Sequence, residues 1–191
     1  MGHPRHALRG AEVPVPSARR TFVRVLPSCA VLVFGAPIAA LALPSDAAQD
    51  DRTPWALLVY LCVIVLTVIV HYLTRAPRPR QDPEVDTAQR RRALVAAAET
   101  GAVPTDPAVR RTTGVFACER IEIFAVMVSA VVGVLAGSLA RPELDWWFIW
   151  GPVLVGALAS GFRLRSGLSY LRALHPAKGV KRIHRSEAPN R

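Results

Sequence analysis

The chain has 191 residues, 51% of them hydrophobic and 20% charged, with a formal net charge of +10. A soluble domain of this length distributes its apolar residues in short segments of helical or strand period. Here they gather into four long blocks separated by charged stretches, which excludes an ordinary water-soluble globule. The three cysteines, Cys29, Cys62 and Cys118, contain no CxxC pair, so neither a disulfide framework nor a cysteine metal centre is expected.

Residues 1–21 form a basic arm of Pro, Arg, Ala and Gly without periodicity, expected to be disordered. The first apolar block, Val25–Leu43, follows "ARRTFVR" and admits three readings. The Arg19-Arg20 pair and the terminal Ala40-Leu41-Ala42 resemble a twin-arginine export signal with a cleavage site. Leu26-Pro27-Ser28-Cys29 resembles a lipobox, but it lies near the start of the apolar run, whereas lipid attachment follows the run. The block is longer than the 7–15 residues of a signal core, which favours an uncleaved first span. Pro27 and Pro37 each remove a backbone donor, so a kink or local unwinding is expected. A second block, residues 54–73, completes a hairpin within 22–74, and His71 stands near its end as a candidate titrating group.

Residues 75–120 form the one sizeable polar segment. In "RAPRPRQDPEVDTAQRRRALVAAAETGAVPTDPAVRR", Asp82-Pro83 and Asp106-Pro107 read as helix starts, with Asp capping free amides and Pro at the first position. A helix is predicted over 83–100, stopped by Gly101, and a second from Pro107 with a possible break at Gly114. This helix-turn-helix-like linker carries a narrow apolar strip, Leu94, Val95 and Ala98, too small for an independent core. The arginine-over-lysine bias and "RRRALVAAAETGAVPTDPAVRR" between two pairs of spans resemble uncharacterised small four-pass integral membrane proteins of high-GC bacteria. That resemblance implies no activity.

The second hairpin, 121–162, contains spans 121–140 and 146–162. Glu122 is the acid at the edge of a span, close to Arg120 and Glu119; interfacial solvation or a salt bridge is the favoured reading, and a proton or cation relay the functional one. Gly133 and Gly137 form a GxxxG, and Gly156 with Ser160, or Ala157 with Gly161, gives small-xxx-small pairs that let helices approach closely. Residues 163–175 place Leu164, Leu168, Leu171 and Leu174 on one helical face, expected as an amphipathic interfacial helix. A basic tail, 176–191, is expected to be disordered.

Each block is about 17–20 residues, matching a ~30 Å hydrocarbon core. Of the 24 Lys and Arg, Arg52 and Arg141 alone lie in the short loops 44–53 and 141–145. The positive-inside rule therefore places both termini and the linker in the cytoplasm of a multi-pass cytoplasmic-membrane protein. Trp55, Trp146, Trp147 and Trp150 fall at the outer ends of their spans, as interfacial aromatics do. Arg19, Arg20, Arg24, Arg163, Arg165 and Arg172 are expected to meet anionic lipid head groups, at ~1 kcal/mol per charge.

No basic stretch interleaves aromatics for base stacking, so nucleic acid is not an expected partner. HExxH, Walker-type and GxGxxG motifs are missing, and no cofactor, metal or catalytic residue is assigned. The sequence reads as an all-α, four-span integral membrane protein acting as a non-enzymatic accessory or interaction component. Its partner would be reached through 83–112 and the tail, and self-association into a homo-oligomer is open. The alternatives are a small oligomeric transporter or channel, and a precursor whose cleaved signal precedes three spans.

Overall fold

Peptide groups inside hydrocarbon have no water to bond, so an apolar run satisfies them within its own helix. In the computed structural model, which describes residues 14–44, 54–74, 78–79 and 82–175, each apolar block is helical. The helices are α1 (Ala18–Leu41), α2 (Trp55–Thr74), α3 (Thr87–Thr100), α4 (Pro107–Ala140) and α5 (Trp147–Leu174). All but α3 are long and apolar enough to cross a membrane, and no strand occurs among the described residues. The arm before residue 14, Arg52 and the tail from 176 lie outside the described residues.

Large apolar side chains along the spans, such as Leu61, Val65, Phe34 and Val155, are exposed on the outside of the bundle. That is the inverse of a soluble protein and suits contact with lipid. Inside, Leu32, Ala40, Val59, Tyr60, Val63 and Val134 form a core shared by α1, α2 and α4. The α1–α4 contact is the most extensive between helices of the described residues. Small residues make it possible, since a Cβ at Gly133 would overlap the Leu32 carbonyl oxygen of α1.

α4 has 34 residues, or about 51 Å at 1.5 Å per residue, well beyond a ~30 Å hydrocarbon core. α5, with 28 residues, also overshoots. Their arginine-rich ends project past the spans, and α3 packs across both. A second core forms there from Leu94 and Ala97 of α3, Cys118 and Ile121 of α4, and Tyr170 and Leu171 of α5. Gly167 permits the α4–α5 approach, because a Cβ there would stand 3.2 Å from the Ala117 carbonyl oxygen.

Several local features differ from the sequence reading. α3 begins after Asp86, whose N–H donates to Gln89 Oε1 at 3.3 Å, while Asp82–Val85 forms a turn. The side-chain bond back to the cap is what selects the start, and Asp82 instead donates its N–H to Thr112 Oγ1 at 3.1 Å. Gly101 takes a left-handed φ of 68°, as its place after the helix requires. Ala93 and Ala97 join Leu94 on the buried face, whereas Val95 and Ala98 are exposed. Small side chains allow α3 to sit close against two helices at once.

Asp106 caps α4 as expected, accepting from the Ala108 N–H at 2.8 Å. Gly114 interrupts nothing; its missing side chain makes room for Val15. Residues 163–174 continue α5, with Leu171 buried against protein, and α1 is helical through Pro27 and Pro37. Part of the arm is ordered too. Residues 14–17 lie against α4 and α5, where the Cys118 thiol donates to the Pro16 carbonyl at 3.6 Å.

Candidate functional site at the arginine-rich end

Glu119 and Glu122 are three residues apart on α4 and so share a face. That face meets the last turns of α2, bringing His71 alongside. His71 Nε2 lies 3.7 Å from Glu122 Oε2. Arg78, just after α2, spans both acids: Nη1 is 3.1 Å from Glu119 Oε1, and Nη2 pairs with Glu122 Oε1. The Arg78 side chain is 9% exposed and that of Glu122 14%, so the charges are largely removed from water. Such charges persist when paired, and one guanidinium bridging two carboxylates supplies that pairing.

The structure thus joins the two polar residues singled out by sequence, His71 and Glu122, into one cluster. Sequence reasoning noted Glu119 as a neighbour of Glu122 but missed Arg78, which pairs with both acids where Arg120 was the nearby candidate. The i, i+3 spacing of the acids was visible, but Arg78 is one of many arginines near the spans and nothing local distinguishes it. Imidazole and carboxylate side by side can exchange a proton or hold a small cation. Among the described residues no group of three or more His, Cys, Asp or Glu is placed to bind a metal ion.

The cluster opens onto a cavity of about 390 Å³, whose walls include Thr67, Val68, Tyr72, Val126 and Met127. The Thr67 hydroxyl in this wall donates to the Val63 carbonyl at 2.7 Å. Ser28, Ser129 and Ser160 do not line this cavity. Ser28 is buried in α1, and Ser160 donates to the Ala157 carbonyl at 2.8 Å.

The remaining small residues sit at helix contacts within the chain. Gly137 faces the Trp146 ring, where a Cβ would stand 3.0 Å from Cζ2. Gly156 faces the Met127 sulfur, 2.9 Å from a Cβ position, and Gly161 faces Phe124 at 3.6 Å. Arg19 and Arg20 are exposed in the first turn of α1, with Arg24 partly covered one turn later. Arg163, Arg165 and Arg172 are exposed along α5.

At the opposite end, Arg141 donates to the carbonyls of Ala40 and Leu43 at 3.4 and 3.3 Å and pairs with Glu143. It thereby satisfies acceptors left over at the end of α1. Trp146 turns inward and is buried, its Nε1–H donating to the Arg141 carbonyl at 3.1 Å, whereas Trp147 is exposed. The Trp146 ring fills the space left by Gly137 instead of joining an interfacial belt. Glu143 is held below the ordinary carboxylate range, first by its backbone hydrogen bond and then by Arg141.

Comparison of the chain with family models, with curated proteins and with solved structures gives no match.

Proposed function

We propose that this chain is a multi-pass protein of a bacterial cytoplasmic membrane, with both termini inside, acting as a non-enzymatic accessory component that presents a folded cytoplasmic cap to a protein partner. The observation that carries the reading is the second core. Leu94 and Tyr170 are 1% and 0% exposed, which welds α3 to the projecting ends of α4 and α5. Such a layer holds its outer face, with Arg92 and Glu99 exposed, in fixed relation to the spans. The burial of α1 against Gly133 supports its retention as a span over removal as a signal.

Site-specific photo-crosslinking in native membranes tests this. A crosslinker at position 92 or 99 is expected to trap a discrete protein, and one at position 145 is not. Charge reversal by Arg92→Glu with Glu99→Arg should abolish the adduct. Identical adducts from both ends, or none from either, would refute the reading.

A second reading, a small proton- or cation-coupled transporter or channel, draws support from the contact between His71 and the Arg78-paired Glu122. In reconstituted vesicles it expects a pH-dependent flux that Glu122→Gln removes. A flux indifferent to that substitution would rule this cluster out as its pathway.

A further inference from the structure

A groove of about 770 Å³ lies between α3, α4 and α5, separate from the cluster around Glu122 and Arg78 except for one shared wall. Arg91, Arg120 and Arg163 line its polar half, one from each helix. Arg120 is held rather than left to wander. Its guanidinium lies 4.7 Å from the centre of the Phe116 ring, and Nη1 donates to Ser166 Oγ at 2.7 Å. Ser166 gives its own hydrogen to the Arg163 carbonyl at 3.0 Å, which leaves its oxygen free to accept. The Nε of Arg120 is buried with no hydrogen-bond partner among the described residues, and Arg91 and Arg163 are near enough to repel its charge. Glu119 is the one acid in the wall, and Arg78 already engages it. Three guanidiniums therefore line one space in which, among the described residues, no acid pairs with the partly buried Arg120, an arrangement stabilised by an anion.

The other half of the groove has a different chemistry. Ile123, Met127, Ala159 and Phe162 line it, all from the apolar blocks 121–140 and 146–162. Ile123 and Phe162 are exposed where lipid would run. An occupant must offer an anionic group at the arginine-rich end and an apolar body alongside the spans.

We propose that this groove is a binding site for one anionic phospholipid of the surrounding bilayer. Its phosphate is received by Arg91, Arg120 and Arg163, and an acyl chain lies against Ile123, Met127 and Phe162. This goes beyond general head-group attraction to surface arginines, since Arg91, Arg120 and Arg163 come together only through the tertiary packing of α3, α4 and α5. It stands independently of the partner-docking reading.

Native mass spectrometry of the full chain in detergent, supplied with dimyristoyl phosphatidylglycerol or dimyristoyl phosphatidylcholine, tests the site. Retention of the anionic lipid is expected to exceed that of the zwitterionic one by roughly tenfold, from the attraction of several basic groups at one head group. Arg120→Gln with Arg163→Gln should erase the preference, while Arg19→Gln with Arg20→Gln should keep it. Ala159→Trp, at an exposed position that leaves every arginine in place, should also reduce retention by blocking the apolar half. Equal retention of both lipids, equal loss in the Arg19/Arg20 variant, or unchanged retention in Ala159→Trp would each overturn the proposal. So would displacement of the lipid by millimolar inorganic phosphate, which would mark a site for the free anion. If the double arginine variant does not fold, Ala159→Trp and the Arg19/Arg20 variant decide the matter.

Discussion

The two ends of the bundle are built on opposite plans. At the arginine-rich end, α4 and α5 overshoot the spans, and α3 lies across them over a buried core of its own. Charges there form a paired cluster and an arginine-lined groove. At the tryptophan end, α4 and α5 are joined by a short connection, Arg141 ties it to the last carbonyls of α1, and Trp146 folds back onto Gly137. One end makes extra surface; the other closes off polar groups with the least chain. The contrast teaches that helix length beyond the hydrocarbon core, rather than loop length, is where this chain builds its extra folded surface.

Both ends depend on the α1–α4 crossing between them, so the largest effect should come from Gly133→Leu. Backbone stands where the new side chain would go, and no rotamer can relieve it. A loss of about 3 kcal/mol or more is expected, read as loss of a monodisperse species or a collapsed Tm in detergent. A variant that unfolds like the parent would show that the crossing is looser than described. Arg78→Gln should come next, at about 3 kcal/mol, because it leaves Glu119 and Glu122 beside each other without their shared cation. Thermal unfolding checks this, and Glu122→Gln in the same background should recover part of the loss.

Leu94→Ala separates the two ends most sharply. About 2 kcal/mol is expected, confined to the arginine-rich end, with faster hydrogen exchange in α3 and unchanged exchange in the α1–α4 crossing. Uniform acceleration would mean that the two cores melt as one. The smallest effect belongs to the tryptophan end and to pH. Glu143 has a depressed folded pKa, so its contribution is present above its unfolded pKa and lost as pH falls through the folded value. Acidification below the ordinary carboxylate range should therefore lower the protection factors of the Ala42 and Leu43 amides, taken against the intrinsic exchange rate at each pH, and Glu143→Gln should remove that acid step. Protection that still falls on acidification in Glu143→Gln would place the step elsewhere.

How much of this was legible in the sequence varies by kind of feature. Asp106-Pro107 and Gly101 marked a helix start and stop correctly, because capping is local chemistry. Asp82-Pro83 carried the same local mark, yet the return bond from Gln89 made Asp86 the start. The strip containing Val95 and Ala98 was off by register, because which face of α3 is buried depends on two helices that arrive later in the chain. Of the polar cluster, His71 and Glu122 stood out by their position at span edges. Arg78 did not, since its role depends on a partner 41 residues away.

By itself, the sequence determined that the chain is helical and that its apolar blocks are long enough to cross a bilayer. Both follow from composition acting over consecutive residues, and peptide groups deprived of water leave little alternative. Tertiary structure alone decided which arginine meets Glu122, which tryptophan turns inward, and that three guanidiniums from three helices line one groove. Those outcomes depend on where small residues let helices touch, and that is a relation between distant segments which no local pattern encodes.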